Sequence, residues 1–192
     1  TVVIAGVFTG IAISVRAQGL LLLFAVTLTL TLTEKISLTK RAVVVMGYVA
    51  LSLMTFFLTS PIFWNDTFHN LLGFWQSAAN PVGVPTFYFG TWYISPNTPW
   101  HYHLVWVGIT GLLSVIVTAI VGGMWYVRMI VKHNKHQNVE YPVYFTMFVI
   151  VVGTFAVSAF FNPRSYDGWR HIYYIYPGMI GFSLYFLRVL HE

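Results

Sequence analysis

Charged side chains are scarce in this sequence. Of its 192 residues, 8% are Asp, Glu, Lys or Arg, whereas 57% belong to the hydrophobic class. A soluble domain carries about 25% charged residues, and so few ionisable side chains cannot cover a soluble surface of this size. The composition therefore excludes an ordinary soluble domain and indicates an integral, multi-pass membrane protein.

Cysteine is absent, which excludes disulfide bonds, zinc–thiolate sites and catalysis by a thiol. His101 and His103 are close in sequence, but an i, i+2 spacing places them on different faces of a helix, and no carboxylate lies nearby. This spacing favours a helix start or a hydrogen bond to a substrate over a metal site. We expect no metal site at these histidines, and no cofactor is evident from the sequence. A requirement for a divalent metal is nevertheless compatible with it.

The apolar residues form five or six runs that suggest membrane segments. The runs cover about 1–15, 20–33, 42–60, 101–126, 141–161 and 172–190. One helix through the first two runs would be about 50 Å long, far beyond a hydrocarbon core of about 30 Å. A helical hairpin that turns at 16–19 therefore fits better than one long span. The predicted fold is all-α, a polytopic transmembrane helical bundle with a single domain over 1–192 and a kink at Pro177.

The long segment 61–100 contains neither Lys nor Arg. Asp66 and Thr67 are candidates for a helix N-cap. The apolar residues that follow have helical spacing, which predicts an amphipathic helix on the membrane surface; they are Phe68, Leu71, Leu72 and Trp75. The later part, 80–100, has four prolines among many aromatic residues, and it cannot form a regular span.

The positions of the cations predict the orientation in the membrane. The turns 34–41 and 128–140 each contain three Lys or Arg, which places both in the cytoplasm. The net charge of +5 therefore indicates membrane orientation rather than nucleic-acid binding. The second basic turn favours contact with anionic lipid. The turn 162–171 falls on the outer side, although it contains two arginines.

A small group of ionisable residues lies near the predicted outer helix ends. The arginines of this group are Arg16, Arg164 and Arg170, and they suit a phosphate held at the level of the lipid headgroups. The alternative is that each arginine pairs with a headgroup or caps a helix. Asp167 lies between two of these arginines, which favours an ion-paired structural role over a free base. The aromatic residues at 87–100 either anchor the membrane interface or stack on a sugar or lipid chain.

Three segments, in this order, resemble a known family. Residues 166–171 read YDGWRH and are followed by Tyr173, Tyr174, Tyr176 and Pro177. This resembles the YDGxRH…P signature of bacterial-type relatives of the dolichyl-phosphate-mannose–protein mannosyltransferases. Residues 99–103, PWHYH, resemble the PW-Y segment that opens a helix in that family. Residues 10–19 are similar to its G-x-A-x-x-x-(R/K)-x-x-G turn.

The resemblance implies a membrane glycosyltransferase of the C-type fold. Such an enzyme transfers a sugar, mannose-like in this case, from a polyprenyl- or dolichyl-phosphate donor to a protein or glycolipid acceptor. The reaction takes place on the extracytoplasmic or lumenal face. The resemblance assigns the donor phosphate to Arg16, Arg164 and Arg170. It assigns a substrate groove to Trp100, His101, His103, Tyr166, Asp167 and His171.

The family's catalytic acidic residue is expected upstream of Thr1, since neither Asp66 nor Asp167 matches it. The chain therefore resembles the C-terminal part of a longer protein, and we expect it to be inactive alone. A separate chain that carries the N-terminal half is a possible partner. The alternatives are a non-catalytic membrane subunit or scaffold, and a segment of an anion transporter. A transporter predicts charges inside several spans, and these runs contain almost none apart from Arg16.

Overall fold

The structure is a computed structural model that describes residues 2–32, 37–79, 83–94, 97–132, 141–161 and 168–191. Over these residues the chain is helical, apart from one antiparallel hairpin of two short strands. The chain divides into two compact units, Thr1–Asn80 and Pro81–Glu192. That they form a single domain stays a prediction.

The first unit begins with a helical hairpin. Helix α1 covers Val2–Val15 and helix α2 covers Gly19–Leu32. The chain turns between them, as the hairpin interpretation predicts, and the Gly19 amide donates to the Arg16 carbonyl oxygen at 2.9 Å. A Cβ atom on Gly19 would come within 2.5 Å of the Ile13 backbone nitrogen, so only glycine allows this approach.

Helix α3, Leu38–Leu58, packs along α1. The two helices meet at Gly10, where a Cβ atom would lie 2.6 Å from the Cβ of Thr55. The hydroxyl group of Thr9, the residue before Gly10, is hydrogen-bonded to the Tyr48 hydroxyl of α3 at 2.9 Å, and both side chains are buried. Close contact at a glycine and a buried polar pair therefore hold α1 against α3.

A short 3₁₀ turn, Pro61–Phe63, leads from α3 to helix α4, Thr67–Ala79. Phe74 of α4 packs against Phe56 and Phe63, with ring centroids 6.2 and 6.0 Å apart. A second face of α4 exposes large apolar side chains at positions i, i+4 and i+7; they are Phe68, Leu72 and Trp75. The helix predicted from the sequence is present, and its place at the membrane surface stays a prediction.

The described part of the second unit contains strands β1 (Pro85–Tyr88) and β2 (Thr91–Ile94), followed by four α-helices and a short 3₁₀ helix before the last of them. The α-helices are α5 (Tyr102–Thr110), α6 (Leu113–Lys132), α7 (Tyr141–Phe161) and α8 (Tyr176–His191). Helices α6 and α8 pack closely at Gly122, where a Cβ atom would overlap the carbonyl oxygen of Phe182. The Tyr126 ring is fully buried beside this contact, and it packs against Phe182 and Tyr185.

The predicted segment 101–126 is divided in the structure. Helix α5 ends at Thr110, Gly111 is extended with ψ of 155°, and α6 begins at Leu113. Because glycine lacks a side chain, Gly111 gains no side-chain packing that would favour a continuous helix. The Thr110 hydroxyl accepts a hydrogen bond from the Trp169 indole nitrogen at 2.6 Å, a contact 59 residues away in sequence. The sequence gives no sign of this tertiary hydrogen bond. The apolar run 101–126 was therefore predicted as one unbroken segment.

The predicted segment 172–190 also differs in its first turn. Residues Arg170–Ile175 form a 3₁₀ helix, with a non-helical Ile172, before α8 begins at Tyr176. The irregularity thus precedes the kink expected at Pro177. Pro177 lies in the first turn of α8, where the missing amide hydrogen breaks no intrahelical bond.

Three helices among the described residues are long and apolar enough to cross a membrane. They are Leu38–Leu58, Leu113–Lys132 and Pro142–Phe160. Helices α1 and α2 are apolar but only 14 residues long, and α8 has 16 residues. A regular span needs about 20 residues. The structure therefore supports a helical membrane protein with three candidate spanning helices.

The contact at Gly122 predicts a difference between neighbouring glycines. Gly122→Ala should lower the free energy of unfolding by about 1–3 kcal/mol, because the new methyl group overlaps the α8 backbone. Gly123→Ala should be neutral or stabilising by up to about 1 kcal/mol, because nothing lies within 4 Å of its added Cβ atom. Thermal unfolding in detergent micelles measures both. Equal effects of the two substitutions would contradict the close helix contact.

Candidate functional site

The second unit contains a cavity of about 490 Å³ between its β-hairpin and the start of the 3₁₀ helix before α8. Its lining combines aromatic rings, two threonines and one arginine. The lining residues are Pro85, Thr86, Phe87, Trp92, Tyr102, Trp106, Thr110, Gly168, Trp169, Arg170 and Tyr173. A concave, mostly aromatic site with a few polar groups is the usual form of a small-molecule pocket.

The β-hairpin forms one wall of this cavity. Phe87 of β1 lies opposite Trp92 of β2, and their ring centroids are 5.3 Å apart. A two-residue turn joins the strands, with positive φ at Phe89 (46°) and Gly90 (80°). This is the pattern of the turns that match the twist of a tight hairpin. Phe87 and Trp92 remain exposed, at 56% and 70%, so their rings are available to a ligand.

The residues before α8 form the opposite wall. The Gly168 amide donates to the Tyr102 hydroxyl at 3.1 Å, and Gly168 adopts a positive φ of 70°, which favours glycine. The buried Trp169 ring stacks on Tyr173, with centroids 4.3 Å apart and planes 17° apart. Together with its bond to Thr110, this stacking fixes the position of Arg170, the next residue in the chain.

Arg170 determines what the cavity can bind. Among the described lining residues it is the one that carries a charge, and it is exposed. A guanidinium group presents a planar set of donors that matches a phosphate or carboxylate. The aromatic rings beside it offer apolar faces. The arrangement therefore suits a ligand that combines an anionic group with a ring or an apolar chain.

His103 follows the lining residue Tyr102 in the chain and lies outside the three candidate spanning helices. Its side chain is 2% exposed, and its Nε2 atom has no hydrogen-bond partner among the described residues. Burial, and then the nearby His171, lower the pKa of His103 to about 4. His103 is therefore neutral at physiological pH and cannot attract a phosphate as a cation.

Burial also affects two tyrosines of this unit. It raises the pKa of Tyr88, whose hydroxyl has no partner in the described part of the chain, and nearby Tyr102 raises it further. Burial likewise raises the pKa of Tyr174, which a hydrogen bond to Thr154 partly offsets. Both phenols therefore stay protonated at neutral pH.

The structure brings only some of the predicted site residues together. Arg170 lines the cavity. Trp100, His101, His103 and His171 belong to the same unit but do not line it. His101 packs between Trp100 and Tyr88, with ring centroids 5.4 and 5.8 Å away. No group of three His, Asp or Glu residues in the described ranges could hold a metal.

The other predicted residues cannot be compared with this cavity. Arg164, Tyr166 and Asp167 lie outside the described residues. Arg16 is exposed in the turn between α1 and α2, in the first unit. The assignment of these four residues to a donor or substrate site therefore stays a prediction.

Several lining residues were missed by the sequence analysis. Trp169 and Tyr173 stack across the irregular turn at Ile172, so their spacing in the sequence gave no reliable signal of this contact. Thr86, Trp106 and Thr110 gave no signal either, because only the folded chain brings them to the cavity. Tyr102 was part of the family motif, but its bond to Gly168 joins residues 66 positions apart.

The buried His103 predicts a dependence of stability on pH. Above about pH 6.5 its imidazole is neutral in both the folded and the unfolded chain. As the pH falls from 6.5 to 4, the unfolded chain binds a proton that the folded chain does not bind. His103 should therefore lower the free energy of unfolding by about 1.4 kcal/mol per pH unit in this window.

Thermal unfolding of wild type and His103→Gln in detergent, from pH 7.5 to 4, measures this effect. We expect the melting temperature of the wild type to fall more steeply below pH 6.5. The histidines that do not interact with His103 cancel in the comparison, and the interaction with the nearby His171 is part of the effect that the substitution removes. Parallel curves for the two proteins would show that His103 is not buried in its neutral form.

Comparison of the chain with models of known protein families, with curated proteins and with solved structures finds no match.

Proposed function

We propose that the chain is part of a membrane glycosyltransferase of the C-type fold. It would take a mannose-like sugar from a polyprenyl- or dolichyl-phosphate donor and pass it to a protein or glycolipid acceptor on the extracytoplasmic or lumenal face. One observation carries the proposal: Arg170 lies in an aromatic cavity, within the stretch of sequence that resembles the YDGxRH signature. In this proposal α1, α2 and α8 complete a set of five or six membrane segments.

The lining of the cavity supports a lipid-linked sugar as ligand. Arg170 would hold the phosphate in a bidentate contact. The stacked pair Trp169–Tyr173 and the exposed rings of Phe87 and Trp92 offer flat apolar surfaces to the sugar and to the first part of the polyprenyl chain. The Thr110 and Thr86 hydroxyls already donate to the Trp106 and Val84 carbonyl oxygens, so towards a sugar hydroxyl they would act as acceptors.

The position of the cavity along α6 supports an outer active face. Thr110, which lines the cavity, precedes α6, whereas Arg128 and Lys132 lie in its last turns. A helix of 20 residues is about 30 Å long, the thickness of the hydrocarbon core. Because cations mark the cytoplasmic side, the cavity end of α6 falls on the opposite side.

The proposed reaction is a direct displacement at the anomeric carbon. The acceptor oxygen forms a bond to this carbon while the bond from the carbon to the phosphate oxygen breaks. The electron pair leaves with the phosphate, where a fixed guanidinium group stabilises the developing negative charge. The acceptor proton would pass to the carboxylate that the family resemblance implies upstream of Thr1.

The competing interpretation, a segment of an anion transporter, has less support. In α6 both cations lie in the last five residues of the helix, and Pro142–Phe160 of α7 contains no charged residue. An anion path would require polar or charged residues deep inside several spans. A non-catalytic subunit differs from the enzyme in that it needs no donor site, and donor binding separates these two.

A binding experiment with the chain in detergent tests the proposal. The probe is a radiolabelled short-chain polyprenyl phosphate mannose. Arg170→Gln should weaken binding about tenfold or more, because a charge-assisted hydrogen bond contributes about 1.5–3 kcal/mol. Arg170→Lys keeps the charge without the planar fork and should give an intermediate loss.

Lys40→Gln is the matched control, because it removes an exposed cation of α3 that does not line the cavity. It should leave binding of the mannosylated probe unchanged. Polyprenyl phosphate without the sugar should bind more weakly than the mannosylated probe. The proposal fails if Arg170→Gln and Lys40→Gln weaken binding equally, or if the sugar makes no difference to the affinity.

A further inference from the structure

A second cavity, of about 210 Å³, lies near the C-terminal ends of α6 and α8, in the same unit. One water molecule needs about 10–15 Å³ of such space, so this cavity can hold a group larger than water. The lining residues are Trp125, Arg128, Met129, Lys132, Tyr185 and Val189. We call this cavity the lower notch.

Two cations face the lower notch from one helix. Arg128 and Lys132 are one helical turn apart, a spacing that places their Cβ atoms about 6 Å from each other. Both side chains are exposed, and neither forms a hydrogen bond or an ion pair with a described residue. The described lining contains no carboxylate. The notch is therefore positively charged.

The other lining residues are amphipathic or apolar. Trp125 packs against Phe186 with ring centroids 5.9 Å apart, and Tyr185 packs against Tyr144 at 4.8 Å. Indole and phenol rings favour the level of the membrane–water interface. Met129 and Val189 add apolar surface. The notch thus joins a cationic rim to an apolar wall at the end of a candidate spanning helix.

We propose that the lower notch binds the headgroup phosphate of an anionic glycerophospholipid from the surrounding bilayer. Arg128 and Lys132 would contact the phosphate, and the acyl chains would begin along Met129 and Val189. A soluble anion uses only the charge, whereas a lipid uses the charge and the adjoining apolar wall. This site lies at the opposite end of α6 from the cavity that contains Arg170, so it does not rest on the proposed transferase function.

Native mass spectrometry of the protein in detergent, titrated with phosphatidylglycerol or phosphatidylcholine, tests the proposal. The wild type should bind phosphatidylglycerol more tightly than phosphatidylcholine of the same chain length. A cation near a membrane surface contributes about fivefold in affinity for anionic lipid. Arg128→Gln and Lys132→Gln should each lose about fivefold for phosphatidylglycerol, and the double variant about 30-fold.

Lys40→Gln is the matched control. Lys40 is an exposed cation at the start of α3, in the other basic region of the chain, and its removal should leave the affinity unchanged. The melting temperature without added lipid checks that the double variant folds. The comparison of the two lipids on the wild type needs no variant.

Three results would overturn the proposal. Equal affinity of the wild type for the two lipids would show that the notch does not recognise the negative charge of the lipid. An equal loss in Lys40→Gln would indicate diffuse attraction to the whole basic surface, and Arg128 and Lys132 would then serve only to stabilise the end of α6. If inorganic phosphate raised the melting temperature as much as phosphatidylglycerol does, the notch would be a site for a soluble anion.

Discussion

The close approach of α6 and α8 at Gly122 determines the architecture of the second unit. Because the backbones of the two helices are in contact at this point, the helices also lie close to each other at both of their ends. At one end, Thr110 before α6 bonds to Trp169 before α8 and closes the aromatic cavity. At the other end, Lys132 and Val189 meet at the lower notch. A larger residue at position 122 would separate the helices and disturb both sites.

Most of the buried hydroxyl groups inside the helices are satisfied locally, whereas the buried Thr27 hydroxyl of α2 has no partner among the described residues. Thr29, Ser52 and Thr154 each donate to the carbonyl oxygen four residues earlier, at 2.6–2.8 Å. Ser183 of α8 lies 3.1 Å from the Val115 carbonyl oxygen of α6 and so adds a polar contact between these helices. In an apolar solvent, unpaired polar groups are costly, and this pairing allows many Thr and Ser residues in candidate spans.

Charge is concentrated at the helix ends, and this separation underlies both proposals. Arg170 presents one guanidinium group among aromatic rings, a setting for a single anionic ligand of defined shape. Arg128 and Lys132 present two cations beside an apolar wall, a setting for a lipid headgroup. The buried, neutral His103 next to the lining residue Tyr102 adds polarity without charge. The two ends of α6 thus differ in the kind of anion they suit.

The amino-acid sequence by itself determined the helical membrane class, the turn after Val15 and the helix from Thr67. Composition and apolar periodicity are local properties, and helix hydrogen bonds are local as well. The sequence also marked Arg170 as a candidate site residue, and the structure places it in the lining of the aromatic cavity. Only the tertiary structure decided the break at Gly111, the hairpin of Phe87 and Trp92, and the cavity they border. These features depend on contacts such as Thr110–Trp169 and Tyr102–Gly168, which join residues about 60 positions apart and leave no periodic pattern along the chain.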